Sequence, residues 1–247
     1  MGQGGSLFFI KLWDDILKNL DESLLAHIPP FRKLSRAQIR DVLDLAVPKR
    51  FDPAALIFEE GMDAGRFYLL LDGHIRVIRT TEGGDQVIAL HIVAGQLFGI
   101  AAAIGRTTYP ATAIAADECL ALSWPSDKWH SFVANYEGFA TESYKVVGER
   151  MGEMNNRIVE MATQHVEQRV ARAVLRLINQ SGKKVEGGIE IDFPITRQNL
   201  SEMTGTTLHT VSRLLSGWEK NDIVKSTRRR IVVTDAHRLV VLSEKSA

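Results

Sequence analysis

The chain is short of cysteine, of proline and of charge bias, and each shortage narrows what it can be. A single cysteine, Cys119 among 247 residues, has no partner for an internal disulfide. It also falls short of the several thiolates that an iron-sulfur cluster or a structural zinc site requires. No iron-sulfur cluster is expected, and a reducing, cytoplasmic setting is. Seven prolines and nineteen glycines exclude collagen-like and low-complexity chains, and 45% apolar with 24% charged residues is an ordinary folded composition. The longest stretch without a charge, Gln86 to Gly105, contains His91, Gly95, Gln96 and Gly99. As a bilayer span it would bury polar groups and poor helix formers together, so no membrane partner is expected. The start lacks a basic n-region and a long apolar run, so no secretory signal is expected. Its Met1-Gly2 to Ser6 stretch fits a loose acylation pattern with no second anchoring signal.

The net charge of zero conceals an asymmetry. Residues 165–247 hold 14 Lys plus Arg against 9 Asp plus Glu, while residues 1–164 hold 16 against 21. A basic terminal module on an acidic body suits a polyanionic partner, most often nucleic acid. At about 100 to 200 residues per domain the chain has room for two cores.

After a helical lead-in at Asp15 to Leu25 and Ser35 to Ala46, the pattern from Phe51 to Trp124 becomes short apolar runs punctuated by glycine. Gly61, Gly73, Gly83-Gly84, Gly95 and Gly105 separate Phe67–Leu71, Ile75–Ile78, Val87–Val93 and Ala113–Ala116. The intervals leave no room for crossover helices, so antiparallel strands in a sandwich or roll are predicted. From Gly138 the period changes. Ala140, Tyr144, Val147, Met151, Met154, Ile158 and Met161 recur at steps of four and three. A seam of period 3.5 suits a helix that meets its own copy about a two-fold axis, and a homodimer follows. The alternative is a helix lying on its own domain.

A second amphipathic pattern, Val166 to Ile178, precedes the sharpest signal. Thr196 to Met203 reads as a short helix with Leu200 and Met203 inward, and Gly205 breaks it. Thr207 then offers a hydroxyl cap to a helix over Leu208 to Lys220, whose inward face is Val211, Leu214, Leu215 and Trp218. The opposite face presents Leu208, His209, Ser212, Arg213 and Ser216. Two helices about a glycine turn, the second with a polar outer face, form a helix-turn-helix. Ile223 to Val233 follows as a two-stranded wing whose turn carries Arg228, Arg229 and Arg230.

These motifs resemble the bacterial CRP/FNR transcription regulators. The resemblance rests on Thr196-Arg-Gln-Asn-Leu-Ser, Gly205-Thr-Thr-Leu-His-Thr-Val-Ser-Arg213 and Glu219, and in the body on Gly61, Tyr68, Gly73-His-Ile-Arg-Val77 and Gly95-Gln-Leu-Phe-Gly99. It implies an α+β chain: an N-terminal β-roll of the cyclic-nucleotide-binding, jelly-roll kind, a long dimerisation helix and a C-terminal winged helix-turn-helix. The expected division is an extension at 1–20, an effector roll at 21–135, a dimer helix at 136–164 carrying Tyr144, Val147, Met151, Met154, Ile158 and Met161, and a DNA-binding domain at 165–247. It further implies a regulator, not an enzyme, that binds double-stranded DNA bearing an inverted repeat, with RNA polymerase admitted as a further partner. Base readout is expected from His209, Ser212 and Arg213, and backbone contacts from Arg197, Thr207, Thr210, Arg228, Arg229 and Arg230. In much of the family the position of His209 holds glutamate, so the base read there is open.

The effector pocket is expected around Phe98, Gly99, Ile100, Arg106, Tyr109, Pro110, Ala111 and Thr112. Cyclic-nucleotide binders of this kind place a glutamate where Ile100 stands and Arg-Ser where Tyr109-Pro110 stand. A pocket without that guanidinium loses its main charge-assisted hydrogen bonds to a cyclic phosphate, so an effector other than cyclic AMP is expected. A cyclic-nucleotide-responsive member of the family is the alternative, with Arg106 the candidate substitute. Tyr-Pro-Ala-Thr-Ala and Leu-His-Thr-Val-Ser-Arg are similar to the nitrogen-oxide-responsive branch, in which haem is admitted as a cofactor for nitric oxide. His27, His74, His91, His130 and His165 are then candidate axial ligands, His165 because it continues the seam; spacing does not choose among them. A metal-dependent β-roll enzyme of the cupin kind would need a His-x-His pair that His74 and His91 do not form.

Overall fold

The computed structural model describes residues 21–244. The expected extension at 1–20, the acylation pattern and most of the first lead-in helix lie outside the described residues. Within them, α1 (Ser23–Ala26) and α2 (Arg36–Asp44) precede the sheets. Ser35 starts α2 with a reciprocal cap: its Oγ accepts from Gln38 N, and Gln38 Oε1 accepts from Ser35 N.

Eight strands then form two antiparallel sheets. One has the order β1 (Val47–Phe51), β8 (Cys119–Pro125), β3 (Arg66–Asp72), β6 (Leu97–Phe98); the other β2 (Leu56–Phe58), β7 (Thr112–Ala115), β4 (Ile75–Thr80), β5 (Gln86–Ile92). The alternation along β3 shows why they face each other. Tyr68 and Leu70 enter the core between the sheets with Phe58, Phe98 and Ile92. Phe67 and Leu69 point the other way, into a second core with Phe31, Trp124, Trp129 and Phe139 under the helices. The expected all-β roll is present, and β1, β2, β6 and β8 complete it.

Two helices leave the roll, α3 (Lys128–Asn135) and the 25-residue α4 (Phe139–Thr163). Gln164 turns to extended backbone, and α5 (Val166–Ser181) begins afresh with His165 as its N-cap. His165 therefore does not continue the α4 seam. The break is braced: Arg169 donates to Gln164 O and Thr204 O, and Arg176 donates to both oxygens of the buried Glu160 carboxylate at 2.8 and 2.9 Å.

The terminal module packs α5, α6 (Arg197–Thr204), α7 (Leu208–Lys220) and α8 (Ala236–Glu244) over a four-stranded sheet of order β11 (Val224–Ser226), β12 (Ile231–Val233), β10 (Gly188–Ile191), β9 (Gly182–Val185). The wing is thus wider than the two strands expected. Its core does not end at the module: Ile78, Ile88 and Ala116 of the roll belong to the same buried cluster as Val174, Leu200 and Trp218.

Candidate DNA-reading face and effector cavity

The helix-turn-helix is held by its own caps. Thr196 Oγ1 accepts from Asn199 N while Asn199 Oδ1 accepts from Thr196 N, which closes the start of α6. Gly205 ends it at φ +60°, the left-handed conformation that a glycine C-cap takes without a Cβ penalty. Thr207 Oγ1 then accepts from Thr210 N at 3.1 Å and starts α7. Val211, Leu215 and Trp218 are buried and Leu214 is partly so, while Leu208, His209 and Arg213 are exposed and Ser212 and Ser216 half-buried on the other side. Arg213 makes no hydrogen bond or ion pair among the described residues. Its five N–H donors are free to meet an acceptor pair on a planar edge.

The expected backbone-contacting residues divide. Thr207, Arg228 and Arg229 are exposed and Thr210 is half-buried. Arg197 is drawn inward instead: its Nη2 donates to Ser226 Oγ at 3.1 Å and lies 3.6 Å from Glu219, tying α6 to the wing. Arg230 is paired with the buried Glu190 carboxylate across the sheet. Arg228 and Arg229 flank a polar crevice with Arg76, Thr196 and Asn199.

Inside the roll lies a cavity of about 370 Å³. It runs from the inter-sheet core to the flank of α4, and its lining includes Phe98, Gly99, Ile100, Tyr109, Pro110 and Ala111. Six of the eight residues expected at the pocket are therefore together. Arg106 and Thr112 are not among them: Arg106 is exposed beyond the short 3-10 turn at Ala101–Ile104, and Thr112 Oγ1 accepts from Glu60 N. The candidate cationic substitute for a phosphate-binding arginine is thus displaced to solvent. Tyr109 stacks on Phe58 with centroids 3.8 Å apart, and its hydroxyl donates to Arg66 O at 2.7 Å. Burial first, and the neighbouring Tyr68 next, raise its pKa well above the usual phenol value. Gly99 makes the close approach possible. It sits at φ +66°, and a Cβ there would lie 3.0 Å from Tyr68 Cδ2.

α4 closes the cavity from outside with Val147, Arg150, Met151 and Met154. Val147 also packs on the helix-side core and is half-buried against its own chain. The other expected seam residues are exposed apolar groups: Tyr144, Met151, Met154, Ile158 and Met161 range from 46% to 66% exposed, and Val159 joins them at 55%.

The residues that sequence reasoning missed join cavity to module. A bulge at Ala89 shifts the β4–β5 register, pairing Val77 with Leu90 but Ile78 with Ile88. Val77, Leu90 and Ile92 consequently line the cavity, while Ile78, Ile88, Arg76 and His91 take the opposite face toward the DNA-binding module. There Phe193, from the connection between β10 and α6, stacks on His74 at 4.6 Å and lies 5.1 Å from His91. His74 Nδ1 is 2.9 Å from Asp117 Oδ2. His91 is buried with Nε2 unpartnered among the described residues. Burial, then the charges of Arg157 and Arg76 and the nearby His74, push its pKa down to about 3. Arg157 from α4 donates to the carbonyls of Ile88 and Ala89, at 3.0 and 2.5 Å. One hairpin thus touches cavity, α4 and reading module. An aromatic in a proline-containing connector was the only sequence signal for this joint.

The donors present do not fit a histidine-ligated haem in the cavity. His74 and His91 face the module, His27, His130 and His165 are exposed, and the lining offers only the thioethers of Met151 and Met154 and the engaged phenol of Tyr109. Among the described residues no group of three or more His, Cys, Asp or Glu could hold a metal ion. Cys119 is buried, its thiol pKa pushed up to about 12 by burial and by Asp117. No described helix is long and apolar enough to cross a membrane.

A β-roll joined by a long helix to a winged helix-turn-helix defines the class: a DNA-binding transcription regulator. Comparison with known proteins agrees at both ends, since residues 48–136 match the cyclic nucleotide-binding domain model and residues 168–242 the Crp-like helix-turn-helix domain model. The chain is of the CRP/FNR type, with these two domains in that order. Among its relatives, the global nitrogen regulator of Synechocystis is 25% identical over 92% of this chain and 99% of its own length. The CRP-like cAMP-activated global transcriptional regulator of Mycobacterium tuberculosis is 20% identical over 88% of this chain and 97% of its own. Among solved structures, FixK2 from Bradyrhizobium japonicum superposes with a TM-score of 0.72 at 20% identity, covering 82% of this chain and 99% of that one. These relatives are regulators, and the fold is theirs.

Proposed function

We propose that the protein works as a homodimer on an inverted-repeat DNA site under the control of an effector other than cyclic AMP. The observation that carries this reading is the α7 face, on which Arg213 projects free beside His209 and Ser212 while the opposite side forms the module's core. Two such helices related by a two-fold axis reach successive major grooves one helical turn apart. Arg213 matches the paired acceptors of guanine, with Ser212 and His209 reading beside it. Thr207, Thr210, Arg228 and Arg229 contact phosphates. Arg197 and Arg230 mainly hold the wing, since their charges already have partners. The exposed apolar residues of α4 (Phe139–Thr163) supply the dimer seam, and on this reading the domains divide at residues 135/136 and 164/165.

The M. tuberculosis relative is described as cAMP-activated, but the cavity here favours a different effector. Its lining carries Ile100, Pro110 and Ala111, and a ribose and base buried there would leave hydroxyls and ring nitrogens unpaired. Nitric oxide through haem, suggested by the nitrogen-oxide branch, gains no support from the cavity's donors. Ligand occupancy acts on the cavity side of β4–β5, whose other side meets the module, and a shift of that hairpin or of α4 changes the spacing of the reading helices; such coupling requires that the effector prefer one state. A gel-shift assay with an inverted-repeat probe should show specific, salt-sensitive binding by the dimer, and calorimetry should show no cyclic AMP binding. Absence of specific binding under every effector condition would refute the reading.

A further inference from the structure

The cavity's chemistry is almost wholly apolar, with one exception. Among its lining residues Arg150 alone carries a charge, in a wall otherwise made of groups such as Phe58, Leu90, Phe98 and Met154. The guanidinium is incompletely used. Nη2 donates to Leu97 O at 2.6 Å, and no carboxylate pairs with it among the described residues. Arg76 and Arg157 each have an Nε that is sealed from solvent without a partner; no nitrogen of Arg150 is in that position. Its unused donors are therefore not sealed away, and the side chain forms part of the cavity wall.

We propose that the effector is a small apolar molecule ending in a single anionic group, such as a carboxylate, whose body fills the cavity and whose charge is received by Arg150. One guanidinium with free donors in an apolar wall rewards one planar anion, held by charge-assisted hydrogen bonds that such surroundings strengthen. A neutral head group gains less there, and a cation is repelled. A nucleotide brings hydroxyls and ring nitrogens for which the wall has no partners. Burial lowers the Arg150 pKa only to about 10, so the side chain stays charged at neutral pH. Because Arg150 stands on α4 between Val147 and Met154, the anion would pull directly on the dimer helix. This proposal rests on the reading of the cavity as the effector site.

The test is isothermal titration of the intact protein with decanoate, decanol and decylamine, one tail with three head groups. Decanoate should bind about ten to a hundred times more tightly than decanol, with decylamine weakest. Arg150→Gln should abolish the preference by weakening decanoate far more than decanol, and Arg150→Lys should restore part of it. Binding of decanol as tight as decanoate, a preference that survives Arg150→Gln, or no binding of any of the three would overturn the proposal. Should Arg150→Gln fail to fold, the head-group series on the unaltered protein decides alone. DNA binding by the same preparations is measured separately: specific DNA binding without a decanoate preference sinks this inference only, and loss of specific DNA binding under every effector condition sinks the functional reading.

Discussion

His91 should make this protein acid-sensitive to an extent that a single substitution removes. In the folded chain burial, with Arg157, Arg76 and His74 around it, holds the imidazole neutral down to about pH 3, whereas its ordinary value is 6.5. The unfolded chain therefore binds a proton below 6.5 that the folded chain refuses, and stability falls as pH drops from 6.5 toward 3. The full difference between those two values corresponds to about 5 kcal/mol, and the part already lost at pH 5 to about 2 kcal/mol. His91→Leu deletes this contribution. Near pH 7 the variant should be as stable as the parent or slightly more so, because it also deletes the unpartnered Nε2. Urea unfolding of both proteins at pH 7 and pH 5 measures the difference directly, and other carboxylates and histidines cancel between them. If parent and variant lose the same stability over that interval, His91 is not held neutral and the burial argument fails.

Arg213→Ala should cost about 1 to 3 kcal/mol of discrimination at one base pair in each half-site, measured by gel shift on matched and mutated probes, with weaker loss of non-specific binding. Ile158→Glu places a charge on an exposed apolar position of α4; sedimentation should show the dimer dissociating, and DNA affinity should fall with it. Phe193→Ala empties a site that is 5% exposed between the roll and the module. It should cost about 3 to 5 kcal/mol overall and speed proteolysis of the connector at residues 192–195. Gly99→Ala forces φ +66° on a residue with a Cβ and presses on the Tyr68 ring, which should lower stability by about 1 to 3 kcal/mol and close part of the cavity, read as weakened ligand binding.

Much of the fold was legible because local rules sufficed. The period of the α7 face, the hydroxyls at Thr196 and Thr207 and the glycine at 205 determine a helix-turn-helix without reference to distant residues. The glycine spacing of the roll worked for the same reason. Arg106, by contrast, could not be judged from its closeness to Tyr109 in the chain: the turn at Ala101–Ile104 carries it outward. His165 looked like part of the seam because the 4-3 count runs on, but the backbone leaves the helix at Gln164 and the count loses its meaning. Arg197 and Arg230 were expected at the DNA backbone, and no local pattern shows that the sheet and wing bring Glu190, Glu219 and Ser226 to them.

By itself the sequence determined the order of roll, long helix and reading module, which side of α7 is polar, and that Ile100 and Tyr109-Pro110 stand together near the roll's pocket. These follow from periodicity and residue type, which act over a few neighbouring positions. Only the tertiary structure decided that a bulge at Ala89 turns Ile88 and His91 toward the module while Leu90 and Ile92 face the cavity, that Phe193 lodges beside His74 and His91, and that Arg150 comes from another element to be the cavity's sole charge. Such contacts join residues tens of positions apart, and no local pattern records them, because they arise where separately formed surfaces must be buried against one another.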